Sequence, residues 1–344
     1  MNAIKNKKLK NHSEIGNMAK GSALVGGGDL VGNLFFYINS VIITRTIGAE
    51  LYGLFFLGNI IAIIGGMVAR LGLDYAILRF VALFKGTNQK IRIFKTMKSA
   101  LLITSIISVV IVIIAMILSP FLANTIFQKP QLVKVIMILV IGIPFTNIIA
   151  MVVNLFLGLK DVKYKVIIEN LLLPLIKLMF IILFFYWGLR LSGVVYATVI
   201  SSVIVAIYCL IFMYHRFPDL RKSGYEDKKP LLSFSLPILG ETILNYFISW
   251  IDILILGYFA TSTDIGILGI IYRISIVLVF VQYSFNAIFS PMISELHGTN
   301  KLKDLEQLFK LQTRWAFSLT FPFLILLIIF PDQIMGVFGK TFVN

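Results

Sequence analysis

The sequence predicts an all-α integral membrane protein, a polytopic bundle of transmembrane helices. Hydrophobic residues make up 58% of the 344 residues and charged residues only 14%, whereas a soluble globular domain carries roughly 25% charged residues. Nine apolar runs are long enough to cross a bilayer as helices. A soluble enzyme, a disordered regulator and a secreted disulfide scaffold are therefore excluded, the last also because Cys209 is the single cysteine.

Each predicted span is an apolar run of about 20 residues, the length that crosses the hydrocarbon core as a helix. The second and eighth spans carry polar residues. Pro144, Pro174 and Pro322 lie inside the fourth, fifth and ninth spans and predict kinks there. The predicted spans are 22–44, 53–73, 99–122, 132–157, 166–188, 191–213, 235–257, 265–289 and 313–331.

The positive charge is concentrated on one side of the predicted membrane. The net charge is +15, and with a cytoplasmic N-terminus 24 lysines and arginines fall in cytoplasmic segments and 5 in outer segments. Cytoplasmic loops carry the excess of Lys and Arg in membrane proteins, so this predicts a multi-pass protein of the plasma (inner) membrane. The same bias explains the basic charge without nucleic acid as a partner, and it favours contact with acidic membrane lipids.

An internal repeat relates the two ends of the chain. Six spans per repeat predict two six-helix lobes in a parallel arrangement, as in some secondary transporters. The predicted domains are a cytoplasmic basic tail, a first lobe, a basic linker and the start of a second lobe, covering 1–21, 22–213, 214–234 and 235–344. A second lobe as long as the first would continue beyond Asn344, so we expect a fragment that lacks about three spans. A shift of 212 residues aligns Gly28 with Gly240, Asp29 with Glu241, Asn33 with Asn245, and Gly86-Thr87-Asn88 with Gly298-Thr299-Asn300.

The first and seventh spans each carry polar residues on one helical face. Steps of three and four residues place such residues on one side of a helix. Glycines 26–28 and the pair Pro237 and Gly240 also weaken the two helices at matching places, which indicates a transport site lined by both. Close packing through small residues is the alternative. The two stripes are Asp29, Asn33, Tyr37, Ser40 and Thr44, and Glu241, Asn245, Ser249 and Asp252.

Five ionisable residues lie well inside the predicted spans: Asp29, Lys177, Glu241, Asp252 and Arg273. Each costs roughly 2.5–3.5 kcal/mol at a helix centre, so we expect them to face one another or a water-filled cavity. The three carboxylates are candidates to bind a coupling ion, Na⁺ or H⁺, and interhelical hydrogen bonding is the alternative. No resident cofactor or metal site is predicted.

Several short motifs together resemble one protein family. They are Thr44-Arg45-Thr46-Ile47-Gly48-Ala49-Glu50-Leu51-Tyr52-Gly53, Leu71-Gly72-Leu73, Arg79-Phe80-Val81, Ile251-Asp252-Ile253-Leu254-Ile255-Leu256-Gly257, Gly269-Ile270-Ile271-Tyr272-Arg273-Ile274 and Phe289-Ser290-Pro291-Met292-Ile293-Ser294. Nearly the whole chain resembles the oligosaccharide-lipid (O-antigen type) flippases of the polysaccharide biosynthesis family. That family belongs to the multidrug/oligosaccharidyl-lipid/polysaccharide (MOP) exporter superfamily.

The resemblance implies a function as well as a fold. It implies two six-helix lobes around a central cavity, and flipping of a polyprenyl-pyrophosphate-linked oligosaccharide to the outer leaflet for surface polysaccharide biosynthesis. The chain departs from the family pattern in lacking the last part of the second lobe. The implied partners are the lipid-linked oligosaccharide and membrane lipids, and a polysaccharide polymerase and glycosyltransferases are further candidates.

Cationic residues are the candidates to hold the pyrophosphate of such a lipid carrier. The planar guanidinium of Arg273 suits a pyrophosphate, and Lys177 adds a second positive charge. The alternative is a structural ion pair between Arg273 and Asp252. The predicted substrate-binding set is completed by Arg45 at the outer mouth and by the cavity-lining Asn33 and Asn245.

Three other functions remain open beside a flippase. An ion-coupled exporter of organic cations, from the multidrug branch of the superfamily, would favour an acidic or aromatic pocket over arginine. A membrane-embedded polysaccharide polymerase needs reactive residues on a sizeable surface loop, and the outer loops here are short. A non-transporting scaffold would have no need for charges inside the membrane.

Overall fold

The computed structural model describes residues 2–219 and 224–343, with side chains from residue 26 onward except at several positions between 280 and 295. Two π-helical segments, Leu122–Ile126 and Val166–Leu172, continue helices, and Lys340–Phe342 forms a 3-10 turn. The α-helices are α1 (Asn2–Arg70), α2 (Leu73–Gly86), α3 (Lys90–Phe121), α4 (Leu132–Ile141), α5 (Ile143–Gly158), α6 (Lys163–Lys165), α7 (Leu173–Tyr186), α8 (Leu191–Arg216), α9 (Lys228–Phe259), α10 (Ser262–Gly298), α11 (Leu302–Ile329) and α12 (Pro331–Gly336).

Helix α1 reverses direction at Gly48 and forms two arms. The backbone of Gly48 has φ 79° and ψ 175°, a conformation that favours glycine. In a straight helix Phe36 and Tyr52 would lie roughly 24 Å apart. Instead, their ring centroids lie 4.0 Å and 5.6 Å from the same atom, Cζ of Arg273. The first arm (26–47) and the second arm (49–70) are therefore separate membrane-crossing segments.

The polytopic helical fold is confirmed. The described residues contain seven helices long and apolar enough to cross a membrane, and the bent pair α4 and α5 makes an eighth. With the two arms of α1 taken separately, the predicted nine spans are all accounted for. The predicted kink at Pro144 is confirmed, since α4 and α5 meet at 40°. Pro174 lies in the first turn of α7, directly after the π-helical segment.

Helices extend across two of the predicted segment boundaries. The N-terminal stretch 1–21, taken as a tail, is helical from Asn2 onward and continuous with α1, because no proline interrupts it. The predicted linker 214–234 is shorter, since α8 continues to Arg216 and α9 begins at Lys228. The division of the chain into lobes at those boundaries stays a prediction.

The turns that join equivalent helices support the internal repeat. Asn88 and Asn300, which are 212 residues apart, both adopt left-handed conformations, with φ 58° and 56°. The amide of the following residue, Gln89 or Lys301, donates to a carbonyl in the preceding helix at 2.8 Å or 3.0 Å. The same turn therefore forms at both places.

The two repeats touch through equivalent glycines. A Cβ atom added to Gly53 would lie 1.8 Å from the carbonyl oxygen of Ser262, and one added to Gly266 would lie 2.1 Å from that of Ala49. Gly53 and Gly266 are 213 residues apart, and so are their partners Ala49 and Ser262, so the second arm of α1 and the start of α10 pack as a symmetric pair. Only glycine permits this approach of one backbone to the other.

The linker is fixed on the first repeat. Nε and Nη2 of Arg92 donate to Oε1 of Glu226 at 2.9 Å and 2.7 Å, and the Ser99 hydroxyl accepts from the Glu226 amide at 2.9 Å. These contacts hold the start of α9 against α3.

We predict that Gly53→Ala destabilises the fold by about 1–3 kcal/mol, because the new methyl group would overlap backbone that cannot yield. The matched control is Gly240→Ala, where no atom lies within 4 Å of the added Cβ. That control should be neutral or slightly stabilising. Thermal unfolding of the purified protein in detergent compares the two, and equal melting temperatures would contradict the symmetric glycine contact.

Candidate substrate-binding site

Arg273 lies in α10 between the two arms of α1 and is only 9% exposed. Its Cζ atom lies 4.0 Å from the ring centroid of Phe36 in the first arm and 5.6 Å from that of Tyr52 in the second. The Tyr37 hydroxyl donates to the backbone carbonyl of Arg273. Contacts between a cation and aromatic rings are worth about 0.5–2 kcal/mol, so both arms stabilise this guanidinium.

Lys177 approaches the same aromatic cluster from α7. Its Nζ atom lies 5.3 Å from the ring centroid of Phe55, and Phe55 packs against Tyr52 with ring centroids 6.4 Å apart. Lys177 and Arg273 are close enough to repel each other electrostatically. The structure therefore brings together the two cations that the sequence placed on different helices.

The first arm of α1 also contacts the helix that carries Lys177. Asn39, which is 5% exposed, donates from Nδ2 to the carbonyl of Pro174 at 3.3 Å. Tyr37 and Asn39 thus connect this arm to α10 and to α7. The first arm positions both cation-bearing helices.

The predicted alternative pairing of Arg273 with Asp252 does not form. Within the described residues the ion pairs join other side chains. Asp252 is exposed, and its carboxylate accepts from the amide of Ile253. Neither Arg273 nor Lys177 is in ion-pair contact with a carboxylate among the residues that the structure describes. The cations are instead surrounded by aromatic rings.

Several buried polar atoms around this cluster have no hydrogen-bond partner in the described part of the chain. They are Oδ1 of Asn39, the hydroxyl oxygens of Tyr52 and Tyr246, and Nε of Arg273. Buried polar groups are nearly always paired. Four unpaired atoms around one cluster therefore point to a ligand or to water.

A second polar cluster involves Asp29 in the first arm of α1. Its carboxylate accepts from Nδ2 of Asn170 at 2.9 Å, and Glu169 lies within electrostatic reach of both Asp29 and Arg70. Asn170 and Glu169 belong to the π-helical segment before α7, a type of segment frequent at functional sites. This arrangement places two carboxylates close together inside the first repeat.

The remaining predicted site residues lie apart from the aromatic cluster. Arg45 is exposed and its Nε donates to the carbonyl of Val337 at 2.8 Å. Asn33 is half-buried, while Glu241 and Asn245 are exposed on α9. The Asn245 side chain donates to its own helix at Glu241. The described contacts do not join the stripe on α9 to that on α1, because the inward side of α9 carries aromatic residues such as Trp250.

Sequence reasoning missed Glu169, Asn170, Asn39 and Tyr52. Glu169 is an ionisable residue within the fifth predicted span, so a complete count of such residues would have found it. The partner of Asn39 is a backbone carbonyl on another helix, which no sequence pattern reveals. Tyr52 was noted only as one residue of a family motif. Its proximity to Arg273 depends on the reversal of α1.

The loop after the third span of each repeat contacts the other repeat. Nζ of Lys129 donates to the carbonyls of Gly257 and Ala260 at 2.8 Å and 2.9 Å, and burial lowers the pKa of Lys129 despite the nearby Asp264. In the reciprocal contact, the Thr341 hydroxyl accepts from the Ala49 amide at 3.2 Å. A loop from each repeat thus contacts the helix reversal of the other.

One cavity of the described chain lies within the first repeat. It has a volume of about 160 Å³ and lies between the second arm of α1, the α4–α5 bend and α8, with Arg70, Asn147 and Ser202 in its wall.

A family model described as polysaccharide biosynthesis protein matches residues 18–297. The chain belongs to this family. Stage V sporulation protein B of Bacillus subtilis (strain 168) is 22% identical over 343 aligned residues, which cover 92% of this chain and 66% of that protein. The chain thus spans just under two thirds of this relative's length.

Solved structures show the same fold. An inward-facing multidrug resistance MATE family transporter of the MOP superfamily superimposes with a TM-score of 0.68 at 15% identity, over 90% of this chain and 73% of that chain. A MOP superfamily transporter from Pyrococcus furiosus, described as having reversed polarity in its binding pocket, gives 0.63 at 16% identity, over 95% and 76%. The predicted membership in the polysaccharide biosynthesis family is thus confirmed by the family model, and the solved structures confirm the fold.

We predict that Lys177→Met leaves the ligand-free protein as stable as the native protein or stabilises it by about 1 kcal/mol, because a half-buried ammonium without a carboxylate partner is costly. Thermal unfolding in detergent measures the change. Lys134→Met, at a position outside this cluster, is the control and should leave stability nearly unchanged. A marked loss of stability in Lys177→Met alone would show that the lysine is a structural residue.

Proposed function

We propose that this chain is part of a flippase that moves a polyprenyl-pyrophosphate-linked oligosaccharide from the cytoplasmic to the outer leaflet of the plasma membrane. The observation that carries the proposal is the proximity of Arg273 and Lys177 without carboxylate partners in the described residues. Two uncompensated cations inside a membrane protein need an anionic partner. A pyrophosphate supplies the oxygens that Arg and Lys bind.

The fold and the family support this proposal at different levels. MOP superfamily neighbours have transporter folds, and the family description refers to polysaccharide biosynthesis. Alternating access would then separate and rejoin the two repeats around the cation pair, with the N-terminus in the cytoplasm as the charge bias predicts. Polysaccharide polymerases and glycosyltransferases are the proposed partners.

Under this proposal the Asp29 cluster binds the coupling ion. Asp29 and Glu169 lie close together beside Asn170, and carboxylate and amide oxygens can hold either Na⁺ or, on one carboxylate, a proton. Glu241 and Asp252 are exposed on α9 and serve as the comparison pair. This cluster and the cation pair lie at separate places along the first arm, so substrate and ion would act on the same helix.

We predict that Arg273→Gln and Lys177→Gln each lower flipping about 10-fold or more, since a hydrogen bond to a charged group contributes about 1.5–3 kcal/mol. The measurement is the leaflet on which the lipid-linked oligosaccharide accumulates in cells that lack the gene and are complemented with each variant. Lys134→Gln is the matched control. Normal flipping by both variants, or normal flipping in the deleted cells with altered resistance to cationic dyes, would favour the multidrug alternative.

We predict that Asp29→Asn abolishes the stimulation of transport by an ion gradient while leaving substrate binding intact. The amide oxygen can still accept from Asn170, but the negative charge that attracts the ion is gone. Transport into vesicles with imposed Na⁺ or H⁺ gradients measures the effect, and Asp252→Asn is the control. If Asp29→Asn retains the full gradient response, the coupling ion does not bind at this cluster.

A further inference from the structure

Tyr52 has a polar group that its own packing does not use. The residue is 0% exposed, and its ring stacks on Phe56 with centroids 6.0 Å apart. A phenylalanine would fill the same space. The hydroxyl therefore needs an explanation other than packing.

The guanidinium of Arg273 interacts with this hydroxyl, and its Cζ atom lies 5.6 Å from the centroid of the Tyr52 ring. A guanidinium has donors only, so it cannot accept the hydroxyl proton of Tyr52. The hydroxyl and Nε of Arg273 are both buried without a hydrogen-bond partner in the described residues. Arg273 is near enough to donate to the Tyr52 oxygen, yet neither the Tyr52 hydroxyl proton nor Nε of Arg273 has an acceptor among the described residues, an arrangement that costs free energy in the ligand-free protein.

The ligand that satisfies both donors is an anion with several acceptor oxygens. Phosphate oxygens only accept hydrogen bonds at their charged positions, and they match the fork of an arginine. An organic cation offers no acceptor to this pair and would be repelled by Arg273. The chemistry therefore favours a phosphate-bearing ligand over a cationic one.

Access to the pair lies on the side of Phe36. Its ring covers the guanidinium at 4.0 Å and is itself 39% exposed. Part of this ring therefore lies at the surface of the described chain, and the ring turns about two rotatable bonds. Rotation of this ring would open the site without moving a helix.

We infer that Tyr52 is a phosphate-binding residue that acts together with Arg273, and that the Phe36 ring covers the pair until the ligand displaces it. This inference rests on the proposed function, because the ligand is the pyrophosphate of the lipid carrier. Tyr52 adds a neutral donor where a third cation would be costly in the membrane.

The test is Tyr52→Phe, which removes one oxygen atom and keeps the ring. We expect its affinity for farnesyl pyrophosphate in detergent to fall about 10-fold or more, since a hydrogen bond to a charged group is lost. The melting temperature of the ligand-free protein should stay equal or rise, because an unpaired buried hydroxyl is removed. The matched control is Tyr272→Phe, a neighbouring tyrosine that packs on Trp250, and it should bind as the native protein does.

The outcomes separate this inference from the proposed function. If Arg273→Gln loses affinity for farnesyl pyrophosphate while Tyr52→Phe binds normally, the role of Tyr52 is wrong and the proposed function stands. If neither variant loses affinity, both are wrong. Phe36→Ala is the second variant, and it should bind farnesyl pyrophosphate more tightly because the cover is gone. Unchanged or weaker binding by folded Phe36→Ala protein would overturn the role of Phe36.

Discussion

The contact between the backbones of α1 and α10 is the constraint on which the rest of the structure depends. Because Gly53 and Gly266 have no side chains, the second arm of α1 and the start of α10 approach to backbone contact. That approach places Arg273, a few residues further along α10, against Tyr52 and Phe36. A larger residue at either glycine would separate the repeats and expose the guanidinium. The geometry of the cation site thus depends on two glycines that have no functional side chain.

The repeat supplies a symmetric scaffold, and its functional groups are not symmetric. The turns at Asn88 and Asn300 match, as do the glycine contacts. The positions in the first repeat that correspond to Arg273 are Ile60 and Ile61, which have no charge. The two halves of the structure therefore share their packing and differ in chemistry. The interface between the repeats is therefore asymmetric in charge, because one repeat contributes the buried Arg273 and the other contributes isoleucine at the equivalent place.

Aromatic rings stabilise the cations in place of carboxylates. A carboxylate beside Arg273 would neutralise it and leave little attraction for an anionic ligand. The rings of Phe36, Tyr52 and Phe55 partly offset the cost of burying charge and leave the positive charge available. Because no carboxylate lies beside the cations in the described residues, hydrogen-bond donors there are left unpaired. We expect the protein to be less stable without its ligand, because the arrangement that favours ligand binding leaves these groups unpaired.

The sequence by itself determined the fold class, the spans, the charge bias and the repeat, because each depends on composition or on spacing along the chain. It also singled out Arg273 and Lys177, since a charge in an apolar run is conspicuous without any structure. Only the tertiary structure decided which polar residues meet. Arg273 lies beside Tyr52 rather than Asp252 because α1 reverses at Gly48, and Asp29 lies beside Glu169 because the π-helical segment crosses the first arm. These contacts join residues far apart in the chain, and no local pattern encodes the angle at which two helices pack.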